Sequence, residues 1–275
     1  MQLEFPIMPP CFTKAEEKII EYISGHTDEF LFVSIGQLSE HLGMSDATIS
    51  RFARHVGCKD YKELKAVILR QSSVDGPVIK MAETLNKEDK FSVESWIMHQ
   101  QVCLKKTMEQ LESTKFQRAV DEIVSAEHIF IHGKSASASL AQLLFYRLRR
   151  LDIPVMMLPS GGSEVIEGLA HTKEKDLIIM FSFSKVSKEG KLILDYQKEA
   201  GYHTLAFTSR LYMPKDQMAD TDLYVYRGEE REYHSMTAPA AIVDALVLAV
   251  SAKMGTKSIE RLKEIHRLKK QYMED

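Results

Sequence analysis

The stretch from Ser34 to Gly57 admits few folds. Ile35, Leu38 and Leu42 recur at helical spacing, Gly43 interrupts them, and Ile49, Phe52, Ala53 and Val56 resume the period before Gly57 closes it. Gly43 suits the left-handed backbone that ends a helix, and Ser45 or Asp46 can accept the free N–H groups that open the next one. Two short helices joined by a tight glycine turn, their apolar stripes facing inward, make a helix-turn-helix unit. The outer face of the second helix carries Thr48, Ser50, Arg51, Arg54 and His55, with Ser45 and Ala47 at its start and Lys59 just beyond it. All are placed to meet DNA phosphates or base edges, so double-stranded DNA is the expected partner of this unit.

The charge distribution agrees with that reading. A net charge of −3 excludes a polycation. Between Thr13 and Asp46, Lys14 and Lys18 are outnumbered by Glu16, Glu17, Glu21, Asp28, Glu29, Glu40 and Asp46. Beyond Ala47 the balance reverses, with Arg51, Arg54, Lys59, Lys62, Lys65 and Arg70 against Asp60 and Glu63. Positive charge thus concentrates on the recognition helix and the segment after it, where phosphates would lie.

Flanking segments complete an all-α bundle over residues 1–77. Thr13 followed by Glu16 predicts a capping box, and Ile19, Ile20 and Ile23 form one helical face. Tyr61, Leu64 and Ile68 mark another inward face. The run Ser-Ser-Val-Asp-Gly-Pro at 72–77 breaks the pattern. Residues 78–106 read as a helical linker, with Trp96 either a packing anchor between domains or an ordinary core residue.

From Phe116 the rhythm changes. Strands are expected at 128–132, 154–158, 176–182, 203–207 and 222–226. Helices are expected at 140–151, 164–169 and 189–200, with a long one from about 238. Alternating strands and helices predict an α/β three-layer sandwich over residues 107–255, and Leu177-Ile-Ile-Met-Phe has the unbroken apolar character of a strand covered on both faces. A helix over 256–275 follows, with Ile259, Leu262, Ile265 and Leu268 on one side.

Two hydroxyl-rich turns follow the first and third strands: Gly133-Lys134-Ser135-Ala136-Ser137 and Ser182-Phe183-Ser184-Lys185-Val186-Ser187. In a five-stranded parallel sheet of flavodoxin-like order 2-1-3-4-5 those strands are neighbours whose connections leave in opposite directions, the place where ligands sit. Hydroxyls there can bond phosphate oxygens, or can simply cap two helices.

Other classes find little support. No GxGxxG or GxxxxGK[ST] run appears, no apolar run reaches the roughly 18 residues of a membrane span, and the start lacks a secretory pattern. Cys11, Cys58 and Cys103 form no CxxC pair, so neither a disulfide framework nor a cysteine metal site is expected. The expectation is a cytoplasmic protein with no metal and no cofactor.

Residues 34–57, followed by Cys-Lys-Asp-Tyr-Lys-Glu-Leu-Lys, resemble the winged-helix-type regulators of the RpiR family, and residues from about 107 to 255 resemble a sugar isomerase (SIS) domain. The resemblance implies a bacterial transcription factor whose SIS domain senses a phosphorylated sugar. By position, Ser135 matches the phosphate-contacting serine of the first loop, with Ser137 beside it. Ser182, Ser184 and Ser187 match the family's Ser-x-Ser-Gly-x-Thr loop. Two positions depart from the pattern. Lys134 stands where the second glycine of Gly-x-Gly-x-Ser is expected, and Lys185 replaces the glycine of the second loop. Lysine lacks glycine's freedom at positive φ, yet both changes bring a cation toward the expected anion. Three readings stand: Lys134 and Lys185 select a more anionic ligand, they are merely solvated, or their ammoniums fill a degenerate pocket that binds nothing.

The competing function is aldose–ketose isomerisation, which needs a base to move a proton between carbons. Glu164, Glu167, His171, Glu232 and His234 are the candidates, none fixed by a distinctive motif. Non-enzymatic sensing is the favoured expectation, in a homodimer or homotetramer that reads a two-fold operator.

Overall fold

The computed structural model describes residues 3–71, 76–87 and 91–273. The break expected at 72–77 lies for the most part on residues 72–75, outside them. The chain divides into two units, Met1–Met98 with Gly228–His234, and His99–Arg227 with Ser235–Asp275.

The first unit is helical. It contains α1 (Lys14–Gly25), α2 (Thr27–Phe32), α3 (Ile35–Leu42), α4 (Asp46–His55), α5 (Tyr61–Gln71), α6 (Pro77–Leu85) and the start of α7 (Val93–Gln110). Capping boxes open α1, through Thr13 and Glu16, and α3, through Ser34 and Gln37. Gly43 ends α3 at φ 64°, and the Ser45 hydroxyl caps α4 by accepting from the Thr48 N–H. Ile19, Ile23, Phe30, Leu38, Ile49, Phe52, Leu64 and Ile68 are fully enclosed in one core. Burying each such side chain contributes about 1.5–3 kcal/mol. An N-terminal arm braces the back of α4: Phe5 meets Phe52 edge-on with centroids 5.8 Å apart, and the Ile7 N–H donates to the Val56 carbonyl at 3.0 Å. Gly57, at φ 85°, leaves room for Ile7 where a Cβ would collide. Among the described residues this unit has no strand, so the wing suggested by the resemblance is not part of it. Trp96 packs against Tyr233, the ring centroids 5.9 Å apart.

The second unit is built around β1 (Ile129–His132), β2 (Val155–Met157), β3 (Leu177–Phe181), β4 (His203–Thr208) and β5 (Thr221–Tyr224), all parallel in the order β2-β1-β3-β4-β5. Alternate strand residues face opposite layers. Ile129, Ile131, Leu177, Ile179, Leu205, Phe207 and Leu223 pack beneath α8 (Ser113–Ser125), α9 (Ser137–Arg149) and α12 (Thr237–Met254). Phe130, Ile178, Met180 and Ala206 pack beneath α10 (Glu164–Leu169) and α11 (Lys188–Ala200). Phe181 and Phe207, paired across β3 and β4, stack with centroids 4.5 Å apart. By length and composition α12 could cross a membrane, yet it carries Asp244 and packs Val243, Leu246 and Val250 into the sheet's helical layer. Its opposite side exposes Ala241, Ala245, Leu248 and Ala252. The chain continues into α13 (Thr256–Tyr272), largely exposed.

Candidate functional site

In the first unit, α4 turns Ile49, Phe52 and Ala53 inward, which forces the intervening positions out. Ser45, Ala47, Arg51, Arg54, His55 and Lys59 are exposed, while Thr48 and Ser50 are half-buried. The Thr48 hydroxyl bonds that of Ser45 at 3.0 Å and accepts from Arg51 Nη2 at 3.3 Å, which pre-sets the Arg51 fork. His55 is aimed differently. Its Nδ1 lies 2.7 Å from Glu16 Oε1, tying the end of α4 to the first turn of α1. Burial would raise the Glu16 carboxyl, but the Thr13 N–H and His55 outweigh it and hold the group below its usual value. His55 therefore fixes the pose of α4, with less freedom to reach DNA than its exposure suggests.

In the second unit, β1 runs into residues 133–136 and β3 into residues 182–187, and the helices that follow, α9 and α11, cover opposite faces. The two turns leave neighbouring strands at the switch point. They are joined directly: Lys134 Nζ donates to Glu189 Oε1, in the first turn of α11, at 2.7 Å. A Cβ on Gly161, in the turn after β2, would stand 3.3 Å from that carboxylate oxygen, so a third turn closes on the same point. Gly133 is required there because a Cβ would come within 2.8 Å of the Ser137 carbonyl.

The expectation about glycine substitutes needs correcting. Neither Lys134 nor Lys185 has positive φ; the left-handed residue of the first turn is Ser135, at φ 53°. Lysine is therefore no obstacle to either loop's shape, and Ser135 carries the strain that a glycine would relieve. The cation that Lys134 adds is also already matched. The Glu189 carboxylate accepts from Lys134, from its own N–H and from Ser187, which hold it down at about 2. Its pair with Lys134 forms fully above the ordinary carboxylate range and is lost only as pH falls toward that value.

The serines differ in what they already do. Ser187 caps α11, accepting from the Gly190 N–H at 3.1 Å. The Ser182 hydroxyl donates to the Lys185 carbonyl at 3.1 Å, closing the loop on itself. Ser184 and Ser135 are exposed, Ser137 is the half-buried first residue of α9, and the exposed Lys185 forms no ion pair among the described residues.

Two groups at this edge escape a reading of the sequence. Arg227, three residues past β5 and buried, donates from Nη2 to the Ser184 hydroxyl at 3.1 Å. His132, ending β1, is buried, and burial lowers its pKa against the opposing pull of the Pro159 backbone. A charged or titratable residue closing an apolar strand is the signal that could have found them. Of the candidate bases, Glu164, Glu167 and His171 are exposed on or just after α10. Glu232 and His234 belong to the first unit, where Glu232 pairs with Lys87 and His234 contacts Lys80. Among the described residues no group of His, Cys, Asp or Glu could hold a metal.

Comparison with known proteins joins these features. The model of the rpiR-family helix-turn-helix domain matches residues 9–74, and that of the SIS domain matches residues 122–249. The chain thus carries an rpiR-family helix-turn-helix domain followed by a SIS domain. An uncharacterized HTH-type transcriptional regulator of Caldanaerobacter subterraneus subsp. tengcongensis is 26% identical over 257 residues, covering 90% of this chain and 88% of the relative. The fold is shared with the sugar isomerase domain of an RpiR transcription factor from Sphaerobacter thermophilus, at TM-score 0.59 and 24% identity over 64% of this chain and 98% of that one. It is shared too with the NanR protein of Vibrio vulnificus, solved with ManNAc-6P, at TM-score 0.56 and 20% identity over 96% of each chain. Within these two domains, α3 and α4 are the helix-turn-helix, and the serine turns lie at the carboxyl edge of the SIS sheet.

Proposed function

We propose that this chain is a DNA-binding transcriptional regulator of sugar-metabolism genes, working in the cytoplasm, whose SIS domain binds a phosphorylated sugar without converting it. The observation that carries the reading is a helix-turn-helix with an exposed Arg51–Arg54 face in one chain with a SIS sheet whose hydroxyl turns converge at its switch point. A sensor needs binding only, and that is what these parts supply. Isomerisation is less well supported, because Glu232 is already paired with Lys87 and His234 already contacts Lys80. Ser135, Ser137, Ser182, Ser184 and Ser187 are the proposed contacts for the phosphate. The bound ManNAc-6P of the Vibrio vulnificus NanR makes that compound a sensible first probe. Titrating it and other sugar phosphates against wild-type protein bound to its selected DNA should change DNA affinity for at least one of them, with no turnover in a coupled assay. No response from any, or enzyme-like turnover, overturns the proposal.

The charge of the site gives a further prediction. Glu189 neutralises Lys134, so Glu189→Gln should release that cation toward the ligand. At a few ångströms and partial screening, roughly tenfold tighter binding of a sugar phosphate is expected by calorimetry. Unchanged affinity would place Lys134 outside the reach of the anion.

A two-fold operator calls for a two-fold protein. We assign the subunit contact to the outer side of α12, where Leu248 is 70% exposed amid Ala241, Ala245 and Ala252. Leu248→Glu should convert the wild-type dimer or tetramer to a smaller species in light scattering. Retention of the native mass would move the interface elsewhere.

A further inference from the structure

Arg227 is 6% exposed, and among the described residues no carboxylate forms an ion pair with it. Its Nε donates to the Ser209 hydroxyl at 3.1 Å, and that hydroxyl in turn donates to the Val225 carbonyl at 2.6 Å. The guanidinium lies 4.0 Å from the Phe183 ring centroid, and Nη2 donates to Ser184 Oγ at 3.1 Å. Phe183 and Ser184 are both in the serine loop, so one buried cation is built into that loop from below. Burial pushes the guanidinium down to about 10, which still leaves it charged at neutral pH.

A buried charge without a counter-charge is costly, and proteins seldom keep one idle. Its effect on Ser184 is specific. A hydroxyl that accepts from a guanidinium has its own proton left to give, and Ser184 is exposed, so that proton is available on the solvent side. The Ser182 proton, by contrast, is occupied by the Lys185 carbonyl, and the charge of Lys134 by Glu189. Arg227 is thus the one cation among Lys134, Lys185 and itself that is both buried and free of a carboxylate.

We propose that Arg227 is a positioning residue for anion recognition: it orients the Ser184 hydroxyl as a donor and supplies the charge complement for a phosphate group placed against the 182–187 loop. The proposal rests on the sugar-phosphate reading above and names the residue that makes the pocket selective for an anion. A purely structural arginine would behave differently, since its loss would lower stability whatever the anion present.

The test is thermal melting of the full-length protein in inorganic phosphate and in chloride at matched ionic strength. Wild-type protein should melt higher in phosphate. Arg227→Gln should lose that difference while melting no lower than wild type in chloride, because an uncompensated charge has been removed. Arg227→Lys, which keeps the cation, should retain at least half of the phosphate effect. If the Gln variant fails to fold, the Lys variant decides alone. A Gln variant that still answers to phosphate, a Lys variant as unresponsive as Gln, or a wild type indifferent to phosphate overturns the proposal. The sugar-phosphate titration above separates the two failures. An effector found there whose binding survives Arg227→Gln removes only the arginine's role, whereas no effector at all removes the sensing reading itself.

Discussion

Replacing Arg51 and Arg54 together by alanine should weaken operator binding by about two orders of magnitude or more, on DNA selected by the wild-type protein from a random pool. Both side chains are exposed on the α4 face opposite Ile49, Phe52 and Ala53, so removing them leaves the core intact. Melting should therefore move by no more than about 0.5 kcal/mol. A base-reading arginine contributes roughly 1–3 kcal/mol, and a phosphate contact lowers the salt slope by about one when lost. The single variants distinguish these roles. Arg51, held by the Thr48 hydroxyl, is pre-positioned in the way that bidentate guanine recognition favours, so its loss should relax sequence preference. Arg54 forms no ion pair among the described residues, and its loss should weaken all sequences alike and flatten the salt dependence. Unaltered binding by the double variant would remove α4 from the DNA interface.

Residues that act through local geometry are legible in the amino-acid sequence alone. Gly43 is assignable to a left-handed turn, Thr13 and Glu16 to a capping box, and the α4 stripe to the core, because each depends on neighbours within one or two turns. The strand order follows from alternation and from the two hydroxyl turns, since parallel crossovers leave few arrangements. What escapes depends on distance along the chain. Glu16 and His55 are 39 residues apart, and their pairing braces the end of α4 against α1. Arg227 lies 43 residues from Ser184, and nothing near either predicts their bond. The helix Thr27–Phe32 is too short for periodicity to register. In the first serine turn the left-handed position falls on Ser135 and not on the expected Lys134: counted from Gly133, Gly-x-Gly-x-Ser puts its second glycine at 135 and its serine at 137.

Removing hydroxyls from the second loop should abolish the effector response without touching DNA affinity in the absence of ligand. A hydrogen bond to a charged group contributes about 1.5–3 kcal/mol, so Ser182→Ala with Ser184→Ala should weaken a phosphorylated sugar by roughly a hundredfold or more. The two contributions are unequal. Ser184 is exposed and its oxygen already accepts from Arg227, leaving its proton for the ligand. Ser182 would first have to release the Lys185 carbonyl, which offsets part of its gain. Ser184→Ala alone should therefore cost more affinity than Ser182→Ala alone, measured by calorimetry with the sugar phosphate that shifts the wild-type protein. A ligand changes the balance between two states only through its different affinity for each, so a variant that binds poorly should stay in its unliganded DNA-binding state at concentrations that switch the wild type. The reverse ranking of the serines would mean that the loop rearranges on binding and that its hydrogen bonds in this conformation do not order the donors. Equal loss of DNA binding and ligand binding in these variants would show the two activities sharing one surface, against the division of labour between helix-turn-helix and SIS domain on which the regulator reading depends.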